Sequence, residues 1–339
     1  MKKPPKLVAG VDISKHTLDI AFLSDNNQIL SYRINNTVLD FRNFLKEVKK
    51  QFKLRNADMA FCAENMGIYA KFLTDVLMKM HIPLFLESPL QIKRSLGIHR
   101  GKTDKADAIR IAEYARKNFT TLRAWEPPRE CIIKLKELLT IRKRLIKVRM
   151  ILKGSLNNEA YYLNQANAKA LAAHSIRSID AVTNDLQDVE DGFMKIIQSD
   201  EMLSHLFGLV TSVPGVGNLI GTQIIIYTNE FKDFTCPRKF ASFCGVAPFP
   251  WSSGISVIGK TRVSFYANKE LKSLLHMAAM RNIKKTDNFL AKYYERKVLE
   301  GKNKMSILNA VRNKIIHRVF SCVTNNKKYN EPSTLSGLT

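Results

Sequence analysis

Leu7-Val8-Ala9-Gly10-Val11-Asp12 and, further on, Met59-Ala60-Phe61-Cys62-Ala63-Glu64 are apolar runs that each end on a carboxylate. Short apolar runs closed by a charge read as buried strands of a parallel sheet, whose C-terminal ends deliver functional groups. Working outward, residues 7–35 divide into three strands, Leu7–Ile13, Thr17–Ser24 and Ile29–Asn35, with Asp25-Asn26-Asn27 turning between the last two. Val38, Phe41, Phe44, Leu45 and Val48 recur at helical spacing before the Met59–Glu64 strand. A helix over about Ile68–Met80, a strand at Pro83–Glu87 and a helix over Asp104–Lys117 complete the unit. Strands alternating with helices predict an α/β domain over residues 1–125, its sheet largely parallel after an antiparallel start.

The chain has 339 residues, more than one typical domain, and a hydrophobic content of 45% supports packed cores. Lys and Arg number 54 against 30 Asp and Glu, a net charge of +24, which points to a polyanionic partner. The most apolar stretch, Leu219 to Tyr227, is too short to span a bilayer, so no membrane role is expected. Met1-Lys2-Lys3-Pro4-Pro5 has no apolar signal core, and five scattered cysteines form no CxxC pair. Both favour a cytoplasmic, nucleoid-associated protein with reduced thiols and no structural zinc.

Residues 130–165 carry leucine and isoleucine at three- and four-residue spacing, and a second long helix is expected from about Ile176 to Leu209 after a break across 164–173. Two such helices predict a coiled-coil hairpin or dimerisation arm over residues 126–209. A mostly helical domain over 210–330 follows, then a frayed tail at 331–339. Charge is segregated: nine basic residues against two acidic between Pro128 and Ser155, and seventeen against four between Ala241 and Asn330. Two basic lobes flanking an acidic middle describe a modular nucleic-acid binder.

Asp104 and Asp107 stand three apart in Lys102-Thr103-Asp104-Lys105-Ala106-Asp107, on one helical face. Together with Asp12 and Glu64 they form an oxygen-only donor set that suits Mg²⁺ or Mn²⁺. Two such ions can stabilise both the attacking and the leaving oxygen of a phosphoryl transfer. Arg100, Lys102 and Lys105 surround the acidic pair, as an approaching polyanion requires. Arg142, Lys143, Arg144 and Lys147 lie in a helix with few acids of its own and are read as phosphate contacts. Val213-Pro214-Gly215-Val216-Gly217 resembles a helix-hairpin-helix turn, in which the amides at Gly215 and Gly217 can meet a DNA phosphate. Downstream, a Ser252-Ser253-Gly254 turn flanked by Lys260 and Arg262 offers a hydroxyl nucleophile in a positive field.

Taken in order, Gly10-Val11-Asp12-Ile13-Ser14-Lys15, Ala63-Glu64, Lys102 to Ala108, Val213 to Gly217, and Phe243-Cys244-Gly245-Val246-Ala247-Pro248 followed by Ser252-Ser253-Gly254 resemble the motifs of the DEDD-type insertion-sequence transposases, the family that includes the Piv invertase. The resemblance covers nearly the whole chain. It implies a RuvC-like domain of the RNase H fold with Asp12, Glu64, Asp104 and Asp107 as magnesium ligands. It also implies a C-terminal transposase domain whose serine attacks DNA; Ser253 is the better match and Ser252 the alternative. Guidance by a structured noncoding RNA from the element, and work as a homodimer or dimer of dimers, are further implications. The chain departs from the family at Ala267, where glycine is usual, and at Phe249 and Pro250, where basic residues are common.

The expectation is a site-specific recombinase that excises and inserts its element, joining the carboxylates to Ser253. A RuvC-like junction nuclease using metal-activated water and no serine is the alternative. A sugar-kinase-like phosphotransferase is disfavoured by the net charge and by the lack of a second Gly-rich phosphate loop. A non-catalytic binder leaves the four carboxylates without a role.

Overall fold

The computed structural model describes residues 5–24, 29–95, 103–162, 165–253, 257–284 and 288–330, and the chain divides into two units, Met1–Pro127 and Pro128–Thr339. The expected turn at 25–27, Arg100, Lys102, Gly254 and the tail at 331–339 lie outside the described residues.

The first unit is built on β1 (Leu7–Ile13), β2 (Thr17–Ser24), β3 (Ile29–Asn35), β4 (Met59–Glu64) and β5 (Leu84–Glu87), in the order β3-β2-β1-β4-β5. β1 to β3 pair antiparallel, while β4 and β5 run parallel to β1. This order and these directions are those of an RNase H-like fold. The helices are α1 (Val38–Phe52), α2 (Lys71–Lys79), α3 (Pro89–Ser95) and α4 (Asp104–Asn118). The helix expected from Ile68 opens instead as a 3-10 turn, Gly67–Ala70, before α2 begins.

β1 is buried on both faces, as a near-continuous apolar run requires. Its odd-numbered residues Leu7, Ala9, Val11 and Ile13 join Phe22, Phe41, Phe44 and Phe61 in one core. Val8 joins Ala60, Cys62, Phe85, Ile111, Tyr114 and Ala115 in a second, on the side of α4. Gly10 lies on the same side as Val8, two residues along the strand. A Cβ built there would stand 2.2 Å from the backbone oxygen of Ala108 and the backbone nitrogen of Ala112. Glycine thus lets the backbone of α4 rest on β1. Gly10→Ala is expected to cost about 3 kcal/mol, at the upper end of overpacking, read as a lower midpoint in urea denaturation.

The second unit contains α5 (Glu130–Tyr162), α6 (Gln165–Gln198), α7 (Glu201–Thr211), α8 (Asn218–Thr228) and α9 (Pro237–Phe243). These are followed by β6 (Pro248–Ser253), β7 (Val257–Val263), α10 (Lys269–Ile283), α11 (Phe289–Leu299) and α12 (Lys304–Thr324). Helix resumes at Gln165, so most of the break expected across 164–173 is helical. The real interruption falls at Asp200, whose carboxylate caps α7 by accepting from the Leu203 amide at 2.8 Å and also pairs with Arg129 at 2.7 Å. Arg129 bonds the buried Glu230 as well, tying the start of α5 to the cap of α7 and the turn after α8.

Among the described residues one apolar core runs across the expected division at 209/210. Ile132, Leu135 and Leu139 of α5, and Val189, Phe193 and Ile197 of α6, share one apolar core with Phe240, Leu275 and Ile315. The coiled pair is therefore rooted in the helical domain rather than standing apart from it. β6 and β7 form an antiparallel hairpin that places Ser252 and Ser253 at a strand end, not in the expected turn.

Candidate active site

The carboxylates of the first unit follow from strand register. Asp12 pairs with Asp19 across β1 and β2, Asp19 with Arg33 across β2 and β3, and Glu64 with Glu87 across β4 and β5. The β1–β4 ladder reaches Val11 opposite Ala63, so Asp12 and Glu64 are the next residues on adjacent parallel strands. Residues opposite one another share a face of the sheet. Arg33, Asp19, Asp12, Glu64 and Glu87 thus form one charged row on the face that α4 covers. The first turn of α4 adds Asp104 and Asp107, and its N-terminus is capped by Thr103, whose hydroxyl accepts from the Ala106 amide at 3.2 Å.

The electrostatics report how near these charges are. The Asp12 carboxyl is pushed up to about 6, first by burial and then by the negative charges of Asp107, Asp104, Glu64 and Asp19. Arg33 donates from Nε and Nη2 to Asp19, and from Nη2 to Asp104 at 2.7 Å. Arg110 donates to Asp107 at 2.8 Å. At the far end of the row burial pushes Glu87 up, opposed by a hydrogen bond with Tyr114, and Gln91 donates to the Tyr114 hydroxyl at 3.0 Å.

Among the described residues no three acidic, histidine or cysteine side chains already form a metal cage. Arg33 and Arg110 pair with Asp104 and Asp107 and supply positive charge there. The donor set nevertheless fits a hard divalent cation. It is all oxygen, it carries several like charges, and those charges press on a half-buried Asp12. Cys62, two residues before Glu64, is a buried thiol whose ionisation is pushed far up, so it adds no soft ligand.

Asp19, Arg33 and Glu87 were absent from the sequence-based candidates. Nothing short of strand order could have placed them beside Asp12.

In the second unit the expected contacts divide. Arg142 donates to Glu190 at 2.8 Å and its side chain is 14% exposed. Lys143 pairs with Glu270 at 2.6 Å and donates to the Tyr227 hydroxyl at 2.9 Å. Acids from α6 and α10 thus pair with both cations. Arg144 and Lys147 are exposed, as are Lys105 and Arg262. Replacing Arg144 and Lys147 with glutamine is expected to weaken nucleic-acid binding about 10-fold and lower its salt slope by roughly 1–2. The same change at Arg142 and Lys143 is expected to lower stability by about 1.5 kcal/mol or more. Fluorescence anisotropy and thermal melting separate the two.

Gly215 stands in the turn before α8. Its φ of +86° is glycine's own, and a Cβ there would meet Asn282 Nδ2 at 2.2 Å and the Ala278 carbonyl oxygen at 2.7 Å. Asn282 donates to the Pro214 carbonyl at 2.8 Å. That side of the turn is packed on α10. Gly217, by contrast, is exposed and begins α8 with no side-chain cap. Ser252 and Ser253 pair with Ile258 and Val257 in the hairpin, and their side chains, like that of Lys260, lie outside the described groups.

Two family models match the chain. One, described as a transposase of the DEDD IS110 type, covers residues 9–166, and the other, "Transposase IS116/IS110/IS902 family", covers 208–295. The pilin gene-inverting protein of Moraxella bovis is 26% identical over 330 residues, 96% of this chain and 98% of the relative. That of Moraxella lacunata is 26% identical over 332 residues, with the same coverage. Among solved structures, T. thermophilus RuvC in complex with a Holliday junction substrate is 14% identical with a TM-score of 0.28, covering 35% of this chain and 99% of its own.

Proposed function

We propose, because the chain belongs to the IS116/IS110/IS902 family of DEDD transposases, that it excises and inserts a mobile DNA element with metal-binding carboxylates and a serine nucleophile. It is a DNA recombinase; the chemistry assigned to its residues is our reading. The observation that carries it is the strand register setting Asp12 and Glu64 side by side under the first turn of α4.

In this reading Asp12, Glu64, Asp104 and Asp107 hold Mg²⁺, or Mn²⁺, against the scissile phosphate. The bound ion supplies Lewis-acid stabilisation of charge on the phosphate oxygens. Arg33 and Arg110 hold Asp104 and Asp107 in place until the cation arrives. The Ser253 Oγ, with Ser252 as the alternative, forms a new P–O bond as a deoxyribose oxygen leaves. The serine gives up its proton, and the departing oxygen takes one. The exchanged strand's hydroxyl then attacks the phosphoserine, restoring the diester and the serine. Positioning and electrostatics carry the rate.

Lys105, Arg144, Lys147, Gly217, Lys260 and Arg262 are proposed to contact DNA or a structured noncoding RNA encoded by the element. The basic C-terminal lobe supports such a partner. Val148, Met150 and Ile151 stand exposed on α5, which supports pairing of this helix with another copy in a homodimer or dimer of dimers. No helix among the described residues is long and apolar enough to cross a membrane.

The test is to incubate the full chain and divalent metal with DNA carrying paired element junctions. Rejoined recombinant strands are expected. Nicked strands alone, released by hydrolysis, would support the junction-nuclease reading instead.

A further inference from the structure

The β6–β7 hairpin carries two large rings outside the apolar core of its unit. Phe249 pairs with Arg262 and Trp251 with Gly259, so between those pairs β7 takes three steps to the two of β6. The extra residue is a bulge on β7, and β6 keeps its two-residue period, which sets Phe249 and Trp251 on one face. Arg262 stands opposite Phe249 on that face. Trp251 is 68% exposed and Phe249 48%. Gly259 seats the larger ring: a Cβ built there would stand 2.3 Å from Trp251 Cε3 and 3.2 Å from its Cζ3. A side chain at 259 would therefore displace the indole. The ring rests against strand backbone and keeps most of its surface in solvent.

The charge around these rings narrows the occupant. Residues 234–269 contain five Lys or Arg and no Asp or Glu. Just past β7, Phe265 is 81% exposed, and the Lys269 ammonium lies 5.3 Å from its ring centre. Exposed rings interleaved with cations form a surface on which bases stack while phosphates are neutralised. A second copy of this chain would bring the same cations to the face and meet like charge. A polyanionic strand with bases to stack satisfies the rings and the charge together.

We propose that this face receives an unpaired base of the DNA strand undergoing cleavage, stacked on Trp251, with a neighbouring phosphate on Arg262. Ser253 follows Trp251 by two residues on β6, roughly 7 Å along the strand. The inference rests on the serine reading only in placing that base next to the scissile phosphate. A base within a duplex is already stacked on its neighbours, so the face selects DNA that has been opened. It would keep the strand open while its ends are exchanged.

The chain has two tryptophans, and Trp125 packs against the core of the first unit, so in Trp125→Phe the indole fluorescence belongs to Trp251 alone. The experiment titrates that full-length variant with junction DNA carrying an unpaired base at the cleavage position, with the fully paired duplex, and with RNA of the same sequence. Melting curves check folding. Quenching by the unpaired DNA is expected, and little by the duplex. In the otherwise unaltered chain, Trp251→Ala should weaken binding of the unpaired DNA about 10-fold, Trp251→Phe much less, and neither should change duplex affinity. Adduct at Ser253 is measured on the same DNA. Fluorescence unmoved by the unpaired DNA would overturn the base contact, and an adduct formed on that DNA would leave the serine reading standing. Quenching without an adduct would support the contact and remove the serine reading. Quenching by RNA and not by DNA, or a spectrum that shifts with protein concentration alone, would overturn the proposal in favour of an RNA or a second copy. Should Trp125→Phe unfold, a fluorescent purine analogue at the unpaired position decides the matter. A response to the unaltered chain that Trp251→Ala abolishes supports the proposal, and one that it keeps contradicts it.

Discussion

Asp12→Asn is expected to lower DNA strand cleavage by about 10³-fold or more, some 4 kcal/mol of transition-state stabilisation, and at the same time to make the metal-free protein more stable. Both effects have one cause. Asp12 is half-buried among carboxylates, and its ionisation is raised from 3.8 to about 6 by burial and by Asp107, Asp104, Glu64 and Asp19. A carboxylate whose folded value is raised costs stability above that value and costs nothing below its unfolded value. The metal-free chain therefore loses stability as pH rises from about 3.8 to about 6, and stays at that lower level near neutrality. The amide removes the charge, with a gain on the order of 2 kcal/mol at pH 7. A divalent cation should erase the difference by stabilising the unaltered chain alone. Asp19→Asn is the contrasting control. Asp19 is held by Arg33 on three hydrogen bonds, so its loss should act through positioning, at about 10-fold. Stability from denaturant midpoints and cleavage on labelled DNA test the pair. Lost activity with no stability gain would place the Asp12 charge elsewhere in the reaction.

Ser253→Ala should abolish covalent protein–DNA adducts, with recombination falling by about 10³-fold or more. DNA binding should be unchanged, because the substitution removes a hydroxyl at the end of β6 and no charge. Ser252→Ala is expected to keep the adduct, since one hydroxyl suffices to attack one phosphate. Denaturing gels with end-labelled DNA separate these outcomes. Adduct from the Ser253 variant and none from the Ser252 variant would exchange their roles.

The strands of the first unit could be read from the sequence because each is a short apolar run between turn residues, a signal that is local. Asp12 and Glu64 were visible for the same reason, as charges ending such runs. Arg33, Asp19 and Glu87 were not, because their place beside Asp12 is a product of register between strands whose pairing no local pattern states. Gly10 looked like part of a motif, and its physical role, a seat for the backbone of α4, emerges only when the helix is laid on the sheet. The same limit hid the ion pairs of Arg142 and Lys143. Their helix offers few acids, and the partners Glu190 and Glu270 come from other helices. The end of the second long helix was misplaced because the stop at Asp200 combines a local cap with an ion pair to Arg129, 71 residues away in sequence.

In the proposed reaction a metal-dependent carboxylate set and the serine of β6 act together. Peptide mapping of the adduct formed on junction DNA in Mg²⁺ tests it most directly, run beside the Asp12→Asn chain and a chelated control. A nucleotide attached at Ser253 is expected in the unaltered chain with Mg²⁺, and none in either control. Recombinant DNA formed without any protein-linked nucleotide, or an adduct that survives both controls, would contradict it.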